Sequence, residues 1–184
     1  FPQAQDIEAE QLLRQADQAM YQAKLAGKNR YTFFDAEQDS GLRSRFESVE
    51  RIRQGLLDHE FVLFYQPKVN MRSGKVIGAE ALIRWQHPTL GLLSPAHFLP
   101  AIENHPLSVT LGEWVIDTAL TQMAHWCQQG FDLPVSVNVG ARQLQQSSFV
   151  NRLRELLDAH PLVKASCLEI EILETSALED LARV

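Results

Sequence analysis

Short runs typical of β-strands alternate with amphipathic helical stretches along most of this chain. The sequence predicts strands at residues 61–65, 76–82, 135–139 and 167–172. It predicts helices at residues 42–57, 96–103, 107–129 and 147–159, and a further helix that begins at Ser176. This alternation favours an α/β fold with a parallel sheet, although the turn predicted at residues 70–74 also allows the first two strands to form a hairpin.

An α/β barrel is the architecture that we expect from this order of elements. The alternative is a doubly wound sheet, but the chain shows no Gly-rich phosphate loop after the first strand. Complete barrels of the TIM type contain about 250 residues. A chain of 184 residues would therefore supply a partial TIM-type (β/α) barrel.

The first 35 residues show a separate pattern. A helix is predicted over residues 6–26, Gly27 stands where a helix ends, and residues 31–34 suit a short strand. One helix and one strand cannot form a domain. We therefore expect residues 1–35 to be the tail of a preceding domain, residues 36–60 to be a linker helix, and residues 61–184 to be the first part of the barrel.

The composition of the chain limits the kinds of partner that we expect it to bind. Hydrophobic residues make up 45% of the chain and charged residues 22%, which is typical of a globular protein. The formal net charge of -6 gives no electrostatic reason to expect binding to a nucleic acid polymer. No apolar run approaches the roughly 20 residues of a transmembrane helix, so we expect a cytoplasmic segment without membrane contact. The sequence begins at Phe1, and an upstream anchor in the parent protein would lie outside it.

Three polar residues interrupt the predicted strands: Glu80, Asn138 and Glu171. A carboxylate within an apolar strand is costly to bury unless it is paired or bound to a metal. Each residue is expected near the C-terminal end of its strand, where three oxygen donors together could hold Mg²⁺ or Mn²⁺. The alternative is that each is partly solvated with an ordinary hydrogen-bond partner. Taken alone, the residues favour this alternative.

Two further polar residues are candidates for ligand contacts. Arg84 lies four residues beyond Glu80, where the strand is expected to give way to a loop, and a guanidinium can grip a phosphate with two hydrogen bonds. Gln66 follows the first predicted strand directly and precedes Pro67, which suits either contact with a base edge or ribose, or a simple turn.

The segment at residues 16–31, ADQAMYQAKLAGKNRY, is similar to the closing helix and strand of GGDEF diguanylate cyclase domains. The similarity covers only the tail of such a domain. It includes neither the signature loop nor the nucleotide site, so we expect no cyclase activity from this chain.

The rest of the chain resembles the N-terminal half of the EAL family. The motifs that carry the resemblance are FYQP at residues 64–67, GAEALIRW at 78–85, FLPAIE at 98–103, SVNV at 136–139 and LEIEILE at 168–174. The resemblance implies a barrel enzyme of bacterial second-messenger signalling that hydrolyses cyclic di-GMP to linear pGpG with two Mg²⁺ or Mn²⁺ ions. It also allows a homodimer through the EAL domain.

The resemblance also implies roles for individual residues. The implied metal ligands are Glu80, Asn138 and Glu171; the implied catalytic residues are Glu80, Glu171 and Glu174; and the implied substrate contacts are Gln66, Glu80, Leu82, Arg84, Leu99, Pro100 and Asn138. Leu99 and Pro100 would line a guanine pocket. Later family motifs have no counterpart before Val184, so this chain alone is expected to be inactive. The alternative function is a catalytically inactive EAL-type receptor of cyclic di-GMP or an interaction module.

Overall fold

The computed structural model describes residue 20 and residues 36–172, with side chains at residue 20 and at residues 47–172. The chain divides into two compact units, Phe1–Glu47 and Ser48–Val184. In chain order the elements are α1 (Ala36–Leu57), β1 (Phe61–Val69), β2 (Val76–His87), β3 (Gly91–Leu93), α2 (Leu99–Ile102), α3 (Leu107–Gln128), β4 (Val135–Val139), α4 (Ala141–Leu144), α5 (Phe149–Ala159) and β5 (Leu168–Ile172), with 3₁₀ turns at Pro95–His97 and Ala165–Cys167. The second unit is a mixed α/β structure.

The strands form one sheet in the order β1-β2-β4-β5, with β3 paired to β2. Strands β2, β4 and β5 run parallel, and a helix lies in each connection between them, as parallel pairing requires. Strands β1 and β3 run antiparallel to β2. The predicted hairpin is therefore confirmed, and the expected parallel sheet is correct only for β2, β4 and β5.

Asn70 and Gly74 shape the turn between β1 and β2. The Asn70 side-chain oxygen accepts hydrogen bonds from the backbone N–H groups of Arg72 and Ser73 at 3.0 and 3.1 Å. Gly74 has a φ of 67°, a backbone conformation that residues with a Cβ rarely adopt. These local preferences close the hairpin and set the register of β1 against β2.

Both strands of the hairpin are longer than the sequence predicts. Strand β1 continues through Gln66 and Pro67 to Val69, so Gln66 lies within the strand and not after it. Strand β1 ends the strand order of the sheet, and a proline without an N–H is tolerated on an edge strand. Strand β2 likewise continues past Arg84 to His87, because its last residues pair with the unpredicted strand β3.

One apolar core lies between the sheet and helices α3 and α5. Side chains of β2 and β4 alternate, and every second one faces the helices. The fully or nearly fully buried residues of this core include Ala81, Ile116, Ala119, Leu120, Met123, Val135, Val137, Val139 and Leu156. Helix α3 supplies its buried residues at helical spacing, so its predicted extent, residues 107–129, is confirmed to within one residue.

A second apolar core contains Phe61, Trp85 and Phe98 together with residues of α1, α2 and α3. The ring of Phe61 stacks on Trp85 at a centroid distance of 5.1 Å and meets Phe98 edge-on at 5.4 Å. The predicted helix at residues 96–103 is divided here into a 3₁₀ turn and α2. Phe98, between the two, is 1% exposed and anchors this division.

An ion pair borders the second core. Arg51 Nη2 donates to both carboxylate oxygens of Glu60, at 2.9 and 2.7 Å, and Trp85 Nε1 donates to Glu60 Oε2 at 2.8 Å. The Arg51 guanidinium also lies 5.1 Å from the centre of the Trp85 ring. Burial alone would raise the pKa of Glu60, but the hydrogen bonds from Trp85 and Arg51 outweigh it and hold the pKa below 4.5.

This lowered pKa gives Glu60 a predictable effect on acid stability. The folded state binds the proton more weakly than the unfolded state, so the contribution of Glu60 is present above pH 4.5 and is lost as the pH falls through the folded-state pKa. We expect Glu60→Gln to lose less free energy of unfolding than the wild type between about pH 5 and pH 3. Urea titrations across this range measure the difference. Glu103→Gln, at an exposed position, controls for the change in net charge. A wild-type pH dependence in Glu60→Gln would contradict the expectation.

The expected GGDEF-like tail at residues 1–35 and the helix that begins at Ser176 lie outside the described residues, apart from Met20. Within the part of the chain that the structure describes, no helix combines the length and apolar character that crossing a membrane requires.

Candidate functional site

The face of the sheet opposite the first core carries polar side chains. Paired residues of neighbouring strands point to the same face, and the register aligns Gln66 with Glu80, Glu80 with Ser136, and Ser136 with Glu169. The residues of this face, here called the polar face, are Val62, Phe64, Gln66 and Lys68 of β1, Glu80, Leu82 and Arg84 of β2, Ser136 and Asn138 of β4, and Glu169 and Glu171 of β5. Four strands therefore contribute to one candidate site.

Glu80 and Asn138 meet directly on the polar face. Asn138 Nδ2 donates a hydrogen bond of 2.8 Å to Glu80 Oε1, and both side chains are half-buried. The structure corrects the expected position of Glu80, which lies in the first half of the twelve-residue strand β2 and not near its end. Strand β2 extends beyond Glu80 because its later residues pair with β1 and β3. Asn138 is the next-to-last residue of β4, as expected.

Glu171 is the next-to-last residue of β5 and pairs in register with Asn138. The carboxylate of Glu171 accepts a hydrogen bond of 2.8 Å from Lys68 Nζ. This hydrogen bond holds the pKa of Glu171 below its usual range. Glu171 is thus kept ionised, in the state that cation binding requires.

Lys68 connects three strands of the sheet. Its ammonium group contacts Glu171 on β5, Glu169 Oε2 at 3.1 Å on the same strand, and Ser136 Oγ on β4. Ser136 in turn donates to Glu169 Oε2. The hydrogen bond to Glu171 is the largest cause that raises the pKa of Lys68, and the bonds from Ser136 and Lys68 lower the pKa of Glu169.

Lys68 and Ser136 were not identified from the sequence as candidate site residues. The signal that reveals Lys68 is its spacing, since it lies two residues beyond Gln66 and therefore on the same face of β1. Ser136 likewise lies two residues before Asn138. Both belong to the polar face because side chains alternate along a strand with a period of two.

Arg84 and Gln66 both lie on the polar face. Arg84 follows Leu82 along β2, and Gln66 on β1 lies opposite Glu80. The half-buried Arg84 places its guanidinium 5.7 Å from the centre of the Phe64 ring, and its Nη1 donates to the backbone oxygen of Ile83 at 2.8 Å. The exposed Gln66 pairs in register with Glu80. Arg84 is fixed by the strand itself, which corrects its expected position at the start of a loop.

The remaining predicted site residues are not joined to the polar face by the described contacts. Leu99 is half-buried and packs against the second core, and Pro100 is exposed at the first turn of α2. Glu174 lies outside the described residues. Among the described residues, the polar face therefore unites six of the predicted positions: Gln66, Glu80, Leu82, Arg84, Asn138 and Glu171.

The chemistry of the polar face fits a hard divalent cation. In the hydrogen bond to Glu80, Asn138 uses its amide N–H, and its side-chain carbonyl oxygen is an acceptor of the type that Mg²⁺ and Mn²⁺ prefer. Glu80 and Glu171 would add carboxylate oxygens. Among the described residues, no group of three His, Cys, Asp or Glu side chains could hold a metal. The candidate donor set is therefore the carboxylates of Glu80 and Glu171 with the side-chain amide of Asn138, which leaves positions for water and phosphate oxygens. The third carboxylate of this face, Glu169, accepts hydrogen bonds from Lys68 and Ser136.

The chain is similar in sequence to proteins of known family. The sequence model of the EAL domain family matches residues 49–184. The bifunctional diguanylate cyclase/cyclic di-GMP phosphodiesterase MucR of Pseudomonas aeruginosa is 40% identical over 171 residues, which cover 92% of this chain and 25% of MucR. The cyclic di-GMP phosphodiesterase PdeR of Escherichia coli is 35% identical over 170 residues, 92% of this chain and 25% of PdeR. The chain thus spans about a quarter of the length of these curated relatives.

The fold is similar to that of a solved EAL structure. The PaMucR phosphodiesterase in complex with c-di-GMP superimposes with a TM-score of 0.68 at 39% sequence identity, over 74% of this chain and 56% of that one. This chain therefore shares its fold with part of a phosphodiesterase whose solved structure contains c-di-GMP.

Proposed function

Because the chain belongs to the EAL domain family, we propose that it forms part of a phosphodiesterase that hydrolyses cyclic di-GMP to linear pGpG. The observation that carries the proposal is the hydrogen bond between Asn138 and Glu80 on the polar face. Glu171 lies on the same face, in register with Asn138 on the neighbouring strand. The names of MucR and PdeR support the same substrate and reaction.

We propose that Glu80, Asn138 and Glu171 hold Mg²⁺ or Mn²⁺. Bound divalent cations would supply activation of the attacking water and stabilisation of charge on the phosphoryl oxygens. The chain's own residues prepare this site: Asn138 orients the Glu80 carboxylate by a 2.8 Å hydrogen bond, and the hydrogen bond from Lys68 keeps Glu171 ionised. Glu80 and Glu171 are thereby the proposed catalytic residues within the described part of the chain, and Glu174 is proposed as a third.

We propose three substrate contacts on the polar face. Arg84 offers a guanidinium for a phosphate group, and Gln66 offers a side-chain amide for a base edge or ribose. Leu82 lies between Glu80 and Arg84 on the same face and supplies apolar contact. We place the guanine pocket at Leu99 and Pro100, at the first turn of α2. Each assignment is a proposal that rests on the family motifs.

The wider architecture is proposed on the same basis. Parallel strands joined by helices, together with the similarity to PaMucR, support a partial (β/α) barrel over residues 61–184. Residues 36–60 would form the linker helix, and residues 1–35 the tail of a GGDEF domain. A homodimer through the EAL domain is the proposed assembly.

Hydrolysis of cyclic di-GMP by the full-length protein tests the proposal, with Arg84→Met as the informative variant. A hydrogen bond to a charged group contributes about 1.5–3 kcal/mol, so we expect KM to rise by roughly 10–100-fold. The assay follows formation of pGpG in the presence of Mg²⁺ or Mn²⁺.

Arg154→Met is the matched control, because Arg154 is an exposed arginine on α5, away from the polar face. We expect it to retain the wild-type KM. If the wild type binds cyclic di-GMP without cleaving it, the phosphodiesterase proposal is wrong and the domain is a receptor. An unchanged KM in Arg84→Met would remove Arg84 from the substrate site.

A further inference from the structure

Lys68 is the positively charged residue of the polar face that contacts Ser136, Glu169 and Glu171. Neither the family motifs quoted above nor the proposed substrate contacts assign it a role. Its ammonium group lies 2.8 Å from Glu171 Oε1 and 3.1 Å from Glu169 Oε2, and it also donates to Ser136 Oγ. To make these contacts the side chain crosses β2 and reaches β4 and β5.

The register explains how Lys68 crosses β2. Lys68 pairs with Gly78, where a Cβ would come within 2.9 Å of the Pro134 carbonyl oxygen, so no side chain of β2 stands beside Lys68 at this position. The next residue of β2 on this face is Glu80. Lys68 therefore reaches Glu171 from the N-terminal side of the parallel strands, whereas Asn138 lies beside Glu171 in register.

Resting on the proposed function, we propose that Lys68 is a positioning residue that fixes the Glu171 carboxylate for a divalent cation. Glu169 and Glu171 are two residues apart on the same face of β5, so their like charges repel. Lys68 bridges both carboxylates and holds Glu171 through Oε1. A carboxylate has a second oxygen, which can face a cation while the first is held.

The exposure of these ion pairs argues against a role in stability alone. The side chains of Lys68 and Glu171 are 36% and 41% exposed, and that of Glu169 is 51% exposed. Ion pairs at this exposure contribute little to the stability of a fold. Groups that orient a metal ligand, in contrast, typically change metal affinity or activity by about 10–100-fold when removed.

The test compares Lys68→Met and Lys68→Arg in the full-length protein with Lys75→Met as the matched control. Lys75 is an exposed lysine just before β2 in the same hairpin, so its replacement removes the same charge without touching the polar face. The primary readout is the affinity for Mn²⁺ alone, measured by calorimetric titration or by the electron paramagnetic resonance signal of free Mn²⁺. Urea unfolding and the steady-state kinetics of cyclic di-GMP hydrolysis accompany it.

We expect Lys68→Met to weaken Mn²⁺ binding by about 10–100-fold, with a fall in kcat, little change in KM and nearly wild-type stability. Lys68→Arg, which keeps the positive charge, should recover much of the loss, and Lys75→Met should match the wild type. Unchanged Mn²⁺ affinity in Lys68→Met would overturn the proposal. Tighter Mn²⁺ binding would also overturn it, because Lys68 would then be a competing cation and not a support.

Glu169→Gln separates the two partners of Lys68. A positioning role at Glu171 predicts that Glu169→Gln has a much smaller effect on Mn²⁺ affinity than Lys68→Met. Equal effects would show that the Lys68–Glu169 pair, and not the hold on Glu171, is what matters. Failure of the proposed function remains distinguishable, since a wild type that binds Mn²⁺ without cleaving cyclic di-GMP still reports the effect of Lys68 on the cation.

Discussion

Glu80→Gln in the full-length protein is expected to lower the rate of cyclic di-GMP hydrolysis by about a thousandfold or more. The substitution removes one of two proposed carboxylate ligands, and a bound cation supplies several kcal/mol of charge stabilisation in the transition state. Each 1.36 kcal/mol corresponds to a factor of ten in rate. Measurement of pGpG formation at saturating Mn²⁺ checks the result.

The choice of glutamine separates chemistry from folding. Its side-chain oxygen can still accept the hydrogen bond that Asn138 donates to Glu80, so the free energy of unfolding should change little. Glu155→Gln, at an exposed position on α5, removes the same charge away from the polar face and should keep full activity. Retention of more than about a tenth of the wild-type rate in Glu80→Gln would be incompatible with a metal-ligand role.

Phe98→Ala is expected to produce the largest loss of stability of the substitutions considered. Phe98 is 1% exposed and contacts the rings of Phe61 and Trp85, at centroid distances of 5.4 and 5.7 Å. Replacement of a buried phenylalanine by alanine typically costs about 3–5 kcal/mol, because it leaves a cavity that the surrounding structure fills only in part. Urea unfolding of the chain, followed by tryptophan fluorescence, measures the change.

Two companion variants define the scale of this effect. Phe98→Leu keeps most of the buried volume and should lose less stability than Phe98→Ala. Leu90→Ala truncates a side chain that is 68% exposed in the loop before β3, and it should stay within about 0.5 kcal/mol of the wild type. A loss below about 1 kcal/mol in Phe98→Ala would show that the second core does not depend on this ring.

Sequence patterns predicted the elements whose burial is simple. Strand β4, with the residues VSVNV, occurs at the predicted residues 135–139 because both its faces are largely covered, and α3 follows its apolar spacing almost to its end. These elements depend on local pattern and burial alone. The predicted strands also put Glu80, Asn138 and Glu171 on neighbouring strands, as the structure has them, although Glu80 lies in the first half of β2 and not near its end.

The sequence did not predict the features that depend on which strands pair and on contacts between distant residues. Pro67 is typical of a strand end, and only the position of β1 in the strand order explains why the strand continues through it. Strand β3 has three residues and exists because it pairs with the end of β2. Lys68 likewise contacts Ser136, Glu169 and Glu171, which lie 68, 101 and 103 positions later in the chain. No local sequence pattern reveals contacts over such separations.

The alternation of the sheet links the catalytic proposal to the stability of the fold. Because Glu80 stands between Ala79 and Ala81, a deletion of one residue within β2 would exchange the two faces of the strand beyond it. A carboxylate would then point among Ile116, Leu120 and Val137, and an alanine would replace it beside Asn138. We therefore expect this strand to accept length changes only in pairs of residues, because a single insertion or deletion exchanges its two faces. The alternation of side chains along β2 therefore fixes the position of this site as much as the chemistry of its residues does.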